Sequence, residues 1–333
     1  MRKPLLIIIC LVLGLSALSA TIGIDVLILP KFEVGELSGD FPGEAQYYYE
    51  AYVEGGDAYE VRGGMPGSLL YVKDGVALYV TGMGKVNAAA SMAALLGDSR
   101  FDFSDAYILS TGCAGSVREY SVMGDVFIIT AAIDYDLGHH ADPREMTRDQ
   151  ETTWFRDVSY DYSAFKMLNP ETTDRAYELT KDTVLSTTPK TVAAMSAAFD
   201  GADWALRQPK VLKGTTVSGD NYWKGAFDEA NAKLQAESYG APDPYSLTEM
   251  EDVAIAVVLD RYGLLDNYLI IRDSVNMDVF MSGVTPESLW DPDYEAQLSD
   301  EDSVESADIF LTAMKNNFLV GSKVVDAILD GTF

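Results

Sequence analysis

Cysteine is nearly missing from this 333-residue sequence; only Cys10 and Cys113 occur. Internal disulfides are therefore no scaffold, and the core has to hold the chain together. Histidine is equally scarce, and His139 and His140 are adjacent. Neighbouring side chains do not converge readily on one ion, so no metal site is expected. No G-x-S-x-G elbow precedes a helix, which argues against a serine-hydrolase triad. Positive charge is also thin: 24 Lys and Arg face 52 Asp and Glu, a formal charge of −28. Duplex nucleic acid and anionic membrane surfaces reward basic surface, so neither is an expected partner. Long apolar runs are missing beyond the first segment, and the remainder is expected to carry no membrane span.

That first segment has its own logic. Met1-Arg2-Lys3 is basic, Leu5 to Leu18 is almost wholly apolar, and the small residues Ser16, Ala17, Ser19 and Ala20 follow. This is the order of a secretory signal, and the apolar run falls short of the ~20 residues that span a bilayer. Residues 1–20 are thus expected to be a signal peptide, and 21–333 one exported domain, secreted, periplasmic or on the exterior of the cell envelope. An uncleaved anchor is the alternative. Ile9 is a poor predecessor for lipid attachment at Cys10.

What remains is globular in composition, with 48% hydrophobic and 11% aromatic residues. Ile24 to Leu29 reads as a buried strand ending at Pro30. Ser68 to Lys73 and Val76 to Thr81 flank Asp74-Gly75, a hairpin signal. Val86 to Leu96 is a strong helix. Ala106 to Ser110 reads as a strand leading into a Gly-rich turn, Thr111 to Gly115. Asp125 to Ala132 is another strand, and Asp134 to Thr153 a polar loop. Val192 to Phe199 is helical, Val211 to Val217 extended, and Glu251 to Tyr262 helical by its apolar spacing. Tyr268 to Ile271 reads as a strand ending in Arg272, Ser282-Gly283 as a loop, and Ala307 to Leu329 as a helix. Strands alternating with helices predict an α/β three-layer sandwich around a central mixed sheet, with loops at strand ends forming the site.

Candidate site residues have two readings each. Gly82-x-Gly84 before a helix is either a tight turn or an anion cradle. Gly112 and Cys113, in the second Gly-rich stretch, share that ambiguity. Glu249 and Glu251 at a helix start suit the helix dipole, or Glu251 grips vicinal hydroxyls with Met250 against a sugar. Asn276 and Asp278 are turn formers, or face a polar heterocycle. Tyr222 and Trp223 pack, or stack on a base.

Five motifs then occur in order: TGMGKVNAA (81–89), STGCAG (110–115), VSGD (217–220), EME (249–251) and RDSVN (272–276). Together they resemble nucleoside phosphorylases and nucleosidases, and the first and fourth resemble the methylthioadenosine/adenosylhomocysteine nucleosidases. SGDNYW (218–223), DLGHH (136–140) and NFLVGSKVV (317–325) resemble the purine nucleoside permease family.

The resemblance implies a nucleoside phosphorylase-like fold, no cofactor, a purine nucleoside ligand, phosphate as a further partner, and a homo-oligomer. It implies that Glu251 binds the ribose hydroxyls, Met250 lines the sugar, and Tyr222 sits on the purine with Asp220 and Asn221 nearby. Gly84, Gly112 and Cys113 border the ligand. Asn276 faces the imidazole side of the base, and Glu36, or Glu33, activates water. Two departures follow. The arginines by which phosphorylases hold phosphate are missing at Pro30-Lys31-Phe32 and Leu109-Ser110-Thr111, leaving Arg118 or Lys31 to compensate, so water is the favoured nucleophile. Asn276 stands where nucleosidases have an aspartic acid, so either Asp278 supplies the proton, or the site takes 6-oxopurine nucleosides, or it binds without turnover.

Overall fold

The computed structural model describes residues 21–145, 152–199, 206–280, 285 and 300–333. The expected signal peptide and the Ser282-Gly283 loop lie outside the described residues.

The strands begin from unbroken apolar runs. Val26–Leu29 and Val76–Tyr79 are buried at every residue, and alternate side chains enter different cores: Leu27, Leu29, Ala77 and Tyr79 one, Val26, Ile28, Val76 and Leu78 the other. Such runs suit strands covered on both faces. Val26–Leu29 runs parallel between Val76–Tyr79 and Tyr107–Ser116. The expected hairpin is present: Lys73 pairs with Val76, and Asp74 and Gly75 take φ of 48° and 81°, as a two-residue turn with both central residues at positive φ requires.

Among the described residues, the principal sheet has ten strands. Part of it closes on itself: Val126–Asp134 pairs with Val211–Ser218, that with Tyr245–Glu249, that with Tyr107–Ser116, and that with Tyr268–Met277, which returns to Val126–Asp134. Asp57–Glu60 and Phe165–Met167 form the edges.

Helices cover both faces, giving the three layers. Ala88, Met92 and Leu95 of Lys85–Leu96 and Val253, Ala256 and Leu259 of Asp252–Tyr262 pack on one. Ala176 of Pro170–Thr180 and Val320, Val324 and Val325 of Asp300–Leu329 pack on the other. Helix starts follow local chemistry: Asn169 and Thr188 accept backbone N–H bonds ahead of Pro170 and Pro189.

Two expectations change. Thr111 to Gly115 is not a turn; it continues the strand Tyr107–Ser116. The strand expected to stop at Ile271 runs to Met277. The same cause acts in both. Residues 112–116 pair with 272–277 across the sheet, and the glycines leave room for side chains that approach the strand. A short strand, Asp57–Glu60, adds an edge to the sheet.

Candidate functional site

A cavity of about 210 Å³ opens beside the strands Tyr107–Ser116, Tyr245–Glu249 and Tyr268–Met277. Among its lining residues are Glu251, Met250, Asn276, Tyr222, Asn221 and Cys113, six of the residues singled out from sequence. Phe32, Met83, Trp223 and Val275 add apolar wall.

Beneath it lies a buried charge cluster. Arg272 is 1% exposed. Its guanidinium donates to both oxygens of Asp252 at 2.9 Å, to Glu251 Oε2 at 3.1 Å, to Glu249 Oε2 at 3.4 Å and to the Cys113 carbonyl at 3.0 Å. A planar fork suits this task better than a point charge. Burial pushes Asp252 up, but Arg272 and Lys31 outweigh it and hold the carboxyl below its usual range. Burial, with Asp252 alongside, raises Glu249 to about 7. Burial also raises Glu251, against the pull of Arg272. Glu249 Oε2 accepts the N–H groups of Glu251 and Asp252 at 2.6 and 2.7 Å, which fixes the helix start.

Lys31 is committed as well. Its ammonium donates to the Leu29 carbonyl at 2.5 Å, Ser110 Oγ at 2.7 Å and the Thr111 carbonyl at 3.3 Å. Burial, then Arg272, lowers its pKa. Arg118 is exposed and outside the cavity lining. No lining cation among the described residues is left uncommitted for phosphate.

The Gly-rich turn before Lys85–Leu96 is filled from within the chain. The Gly84 N–H donates to Glu251 Oε1 at 2.8 Å and the Lys85 N–H to Asp220 Oδ1 at 2.8 Å. Two carboxylates thus occupy the helix start that could have cradled an anion. Gly84 and Asp220 are outside the cavity lining; Gly84 holds Glu251, which lines it.

Glu36 does not reach the cavity. It is exposed, and its N–H donates to Asp40. Glu33 accepts the N–H groups of Ala45 and Gln46 at 2.9 and 2.7 Å. That turn delivers Glu44, the carboxylate that does line the cavity and that sequence reasoning missed. Glu44 Oε2 accepts the Lys31 N–H at 2.7 Å, and Oε1 accepts the Cys113 N–H at 2.9 Å. Gly112 also stands outside the lining, yet a Cβ there would overlap the Glu44 carboxylate, and its φ is +142°. Gly112→Ala is expected to expel Glu44 from this seat and lower stability by about 1–3 kcal/mol, read as a fall in urea midpoint. Asp278 lies behind the lining, fully buried, its Oδ2 accepting from Tyr245. Arg272 was quoted from sequence without a role; nothing short of its partners' positions could supply one.

This architecture is that of the nucleoside phosphorylase and nucleosidase class. A 5'-methylthioadenosine/S-adenosylhomocysteine nucleosidase from Neisseria meningitidis, solved with methylthio-immucillin-A, matches with a TM-score of 0.54 at 17% identity, over 91% of this chain and 99% of that one. The corresponding enzyme of Colwellia psychrerythraea, solved with adenine, gives 0.52 at 18% identity, over 90% and 95%. The chain belongs to the purine nucleoside permease (NUP) family, whose profile matches residues 23–332. It is 26% identical over 229 residues to a probable purine nucleoside permease of Schizosaccharomyces pombe, covering 62% of this chain and 65% of that protein. It is 28% identical over 204 residues to a purine nucleoside permease of Candida albicans, covering 56% and 50%. The matches therefore span less than two thirds of the length of these relatives.

Proposed function

We propose that the cavity holds a purine nucleoside and cleaves its N-glycosidic bond with water as acceptor, in a chain exported by residues 1–20. The observation that carries this reading is that Glu251, Asn276, Tyr222 and Glu44, from four distant segments, line one cavity. Glu251 spends one bond per oxygen on Gly84 and Arg272. A carboxylate offers about four acceptor sites, so it retains capacity for two vicinal hydroxyls, with Met250 against the sugar. Tyr222 and Phe32 supply flat apolar walls for the heterocycle. Asn276 offers hydrogen bonds to the base as negative charge collects there, Glu44 orients water toward the sugar carbon and takes its proton, and the departing purine takes a proton from solvent. Stabilising developing charge is usually the largest catalytic contribution. The commitment of Arg272 and Lys31 within the protein favours water over phosphate.

A second reading, nucleoside capture for uptake without turnover, draws on Asn276, which cannot give up a proton, and on the names of the curated relatives. No helix among the described residues is long and apolar enough to cross a membrane. Inosine and adenosine, each incubated with and without phosphate, separate the readings. Free base without phosphate supports hydrolysis; a phosphate requirement overturns it; tight binding without base supports capture. Glu251→Ala is expected to weaken inosine binding at least ~10-fold, given the ~1.5–3 kcal/mol of hydrogen bonds to a charged group. Unchanged binding by calorimetry would refute the ribose assignment.

A further inference from the structure

We infer that Asp278 is a positioning residue that sets which end of the Asn276 amide faces the cavity. The consequence for turnover rests on the nucleoside reading above; the orientation itself does not.

Asp278 is pinned by its main chain, its N–H donating to the Ser116 carbonyl at 2.9 Å and its carbonyl accepting from Gly225 at 2.7 Å. Its side chain is fully buried. Tyr245 donates to Oδ2, while Oδ1 has no hydrogen-bond partner among the described residues. A Cβ on Gly115 would overlap Oδ1, and would lie 3.0 Å from both Asn276 Nδ2 and Thr248 Cγ2. Gly115, Thr248 and Asn276 all line the cavity. Oδ1 therefore abuts the cavity wall from behind, through the gap left by a missing side chain.

A buried oxygen without a donor is costly when charged and less costly when it carries a proton, which then seeks an acceptor. Burial raises Asp278 to about 8; Glu229 adds to the shift, and the Tyr245 hydroxyl and Lys224 oppose it. Tyr245 is itself raised by burial and stays a phenol. Tyr222, largely exposed to solvent, also faces Asp278. At neutral pH the carboxyl is thus a hydrogen-bond donor next to an amide. Among the described residues the Asn276 amide makes one long bond, Nδ2 to the Met277 carbonyl at 3.4 Å, which does not lock it. In the structure the amide nitrogen is the end nearer Gly115; a neutral Asp278 attracts the amide oxygen instead and turns the NH₂ toward the cavity, where it donates to a heterocycle nitrogen. An ionised Asp278 attracts the NH₂ and turns the carbonyl to the cavity, where it repels the charge arriving on the base.

The test is the side-chain amide signal of Asn276 in the full chain labelled with ¹⁵N-asparagine, identified by its loss in Asn276→Ser. It is expected to shift with a midpoint near the pH at which Asp278 ionises, about 8, and to stand still in Asp278→Asn. A signal that does not titrate, or titrates equally in that variant, overturns the inference. In turnover of inosine, Asp278→Ala is expected to lose ~10²-fold, and Asp278→Asn to recover most of that loss and to abolish the alkaline fall. A loss of ~10²–10⁴-fold in Asp278→Asn would make Asp278 the proton donor and overturn the positioning role. The titration with no nucleoside bound by wild type would sink the nucleoside reading alone.

Discussion

Arg272→Met is expected to lower stability at neutral pH by about 3–5 kcal/mol, the range for breaking a buried ion pair by removing one partner. The reason is the number of charges one guanidinium serves. Glu249, Glu251 and Asp252 are buried around it, and the other cation that acts on Glu251 and Asp252, Lys31, is already turned toward three other oxygens. Arg272→Lys is expected to recover little, because an ammonium cannot reproduce the bidentate bond to Asp252. The pH dependence follows from the directions of the shifts. Asp252 is held low in the folded wild type, so it contributes stability above its unfolded pKa that is lost as pH falls through the folded value. Glu249 is raised to about 7; the stability it permits is full below its unfolded pKa and declines as pH rises to about 7. Removing Arg272 raises all three carboxyls, so the deficit is expected to narrow as pH falls from 7 to 5. Urea unfolding at both pH values checks this. Equal midpoints for variant and wild type at pH 7 would mean the cluster is not held by this arginine.

Much of the fold follows from short-range patterns. Val26–Leu29 and Val76–Tyr79 announce themselves as apolar runs because helices cover both faces of the sheet, and Asp74-Gly75 marks its hairpin by local backbone preference. Glu251, Met250, Asn276 and Tyr222 were legible because each sits in a motif whose neighbours repeat its context. Glu44 was not. Its place depends on Cys113, 69 residues away, and on a side chain missing at Gly112. Neither leaves a trace near Glu44, whereas Glu36, or Glu33, took its role from the resemblance, by its position after Val26–Leu29. The glycines at 112 and 115 were misread for a related reason. Locally they signal a turn; in the fold they are flat places in a strand against which Glu44 and Asp278 rest.

Glu44→Gln is accordingly expected to slow purine release from inosine in phosphate-free buffer by ~10²–10⁴-fold, while changing inosine affinity only a few-fold. Glu44 is an acceptor from two directions, the Lys31 N–H on one oxygen and the Cys113 N–H on the other. An amide satisfies one of these and opposes the second with its own NH₂. A stability loss of about 1–3 kcal/mol is therefore expected alongside, and the kinetic loss has to be read well below the variant's melting temperature. The amide also cannot draw a proton from water, which is the step asked of the carboxylate. Glu36→Gln is the control, because that side chain is exposed and outside the cavity; its rate and affinity are expected to match wild type. Should Glu36→Gln lose the reaction while Glu44→Gln keeps it, the water-orienting carboxylate sits on the loop after Val26–Leu29, and the cavity described here is not where the bond breaks.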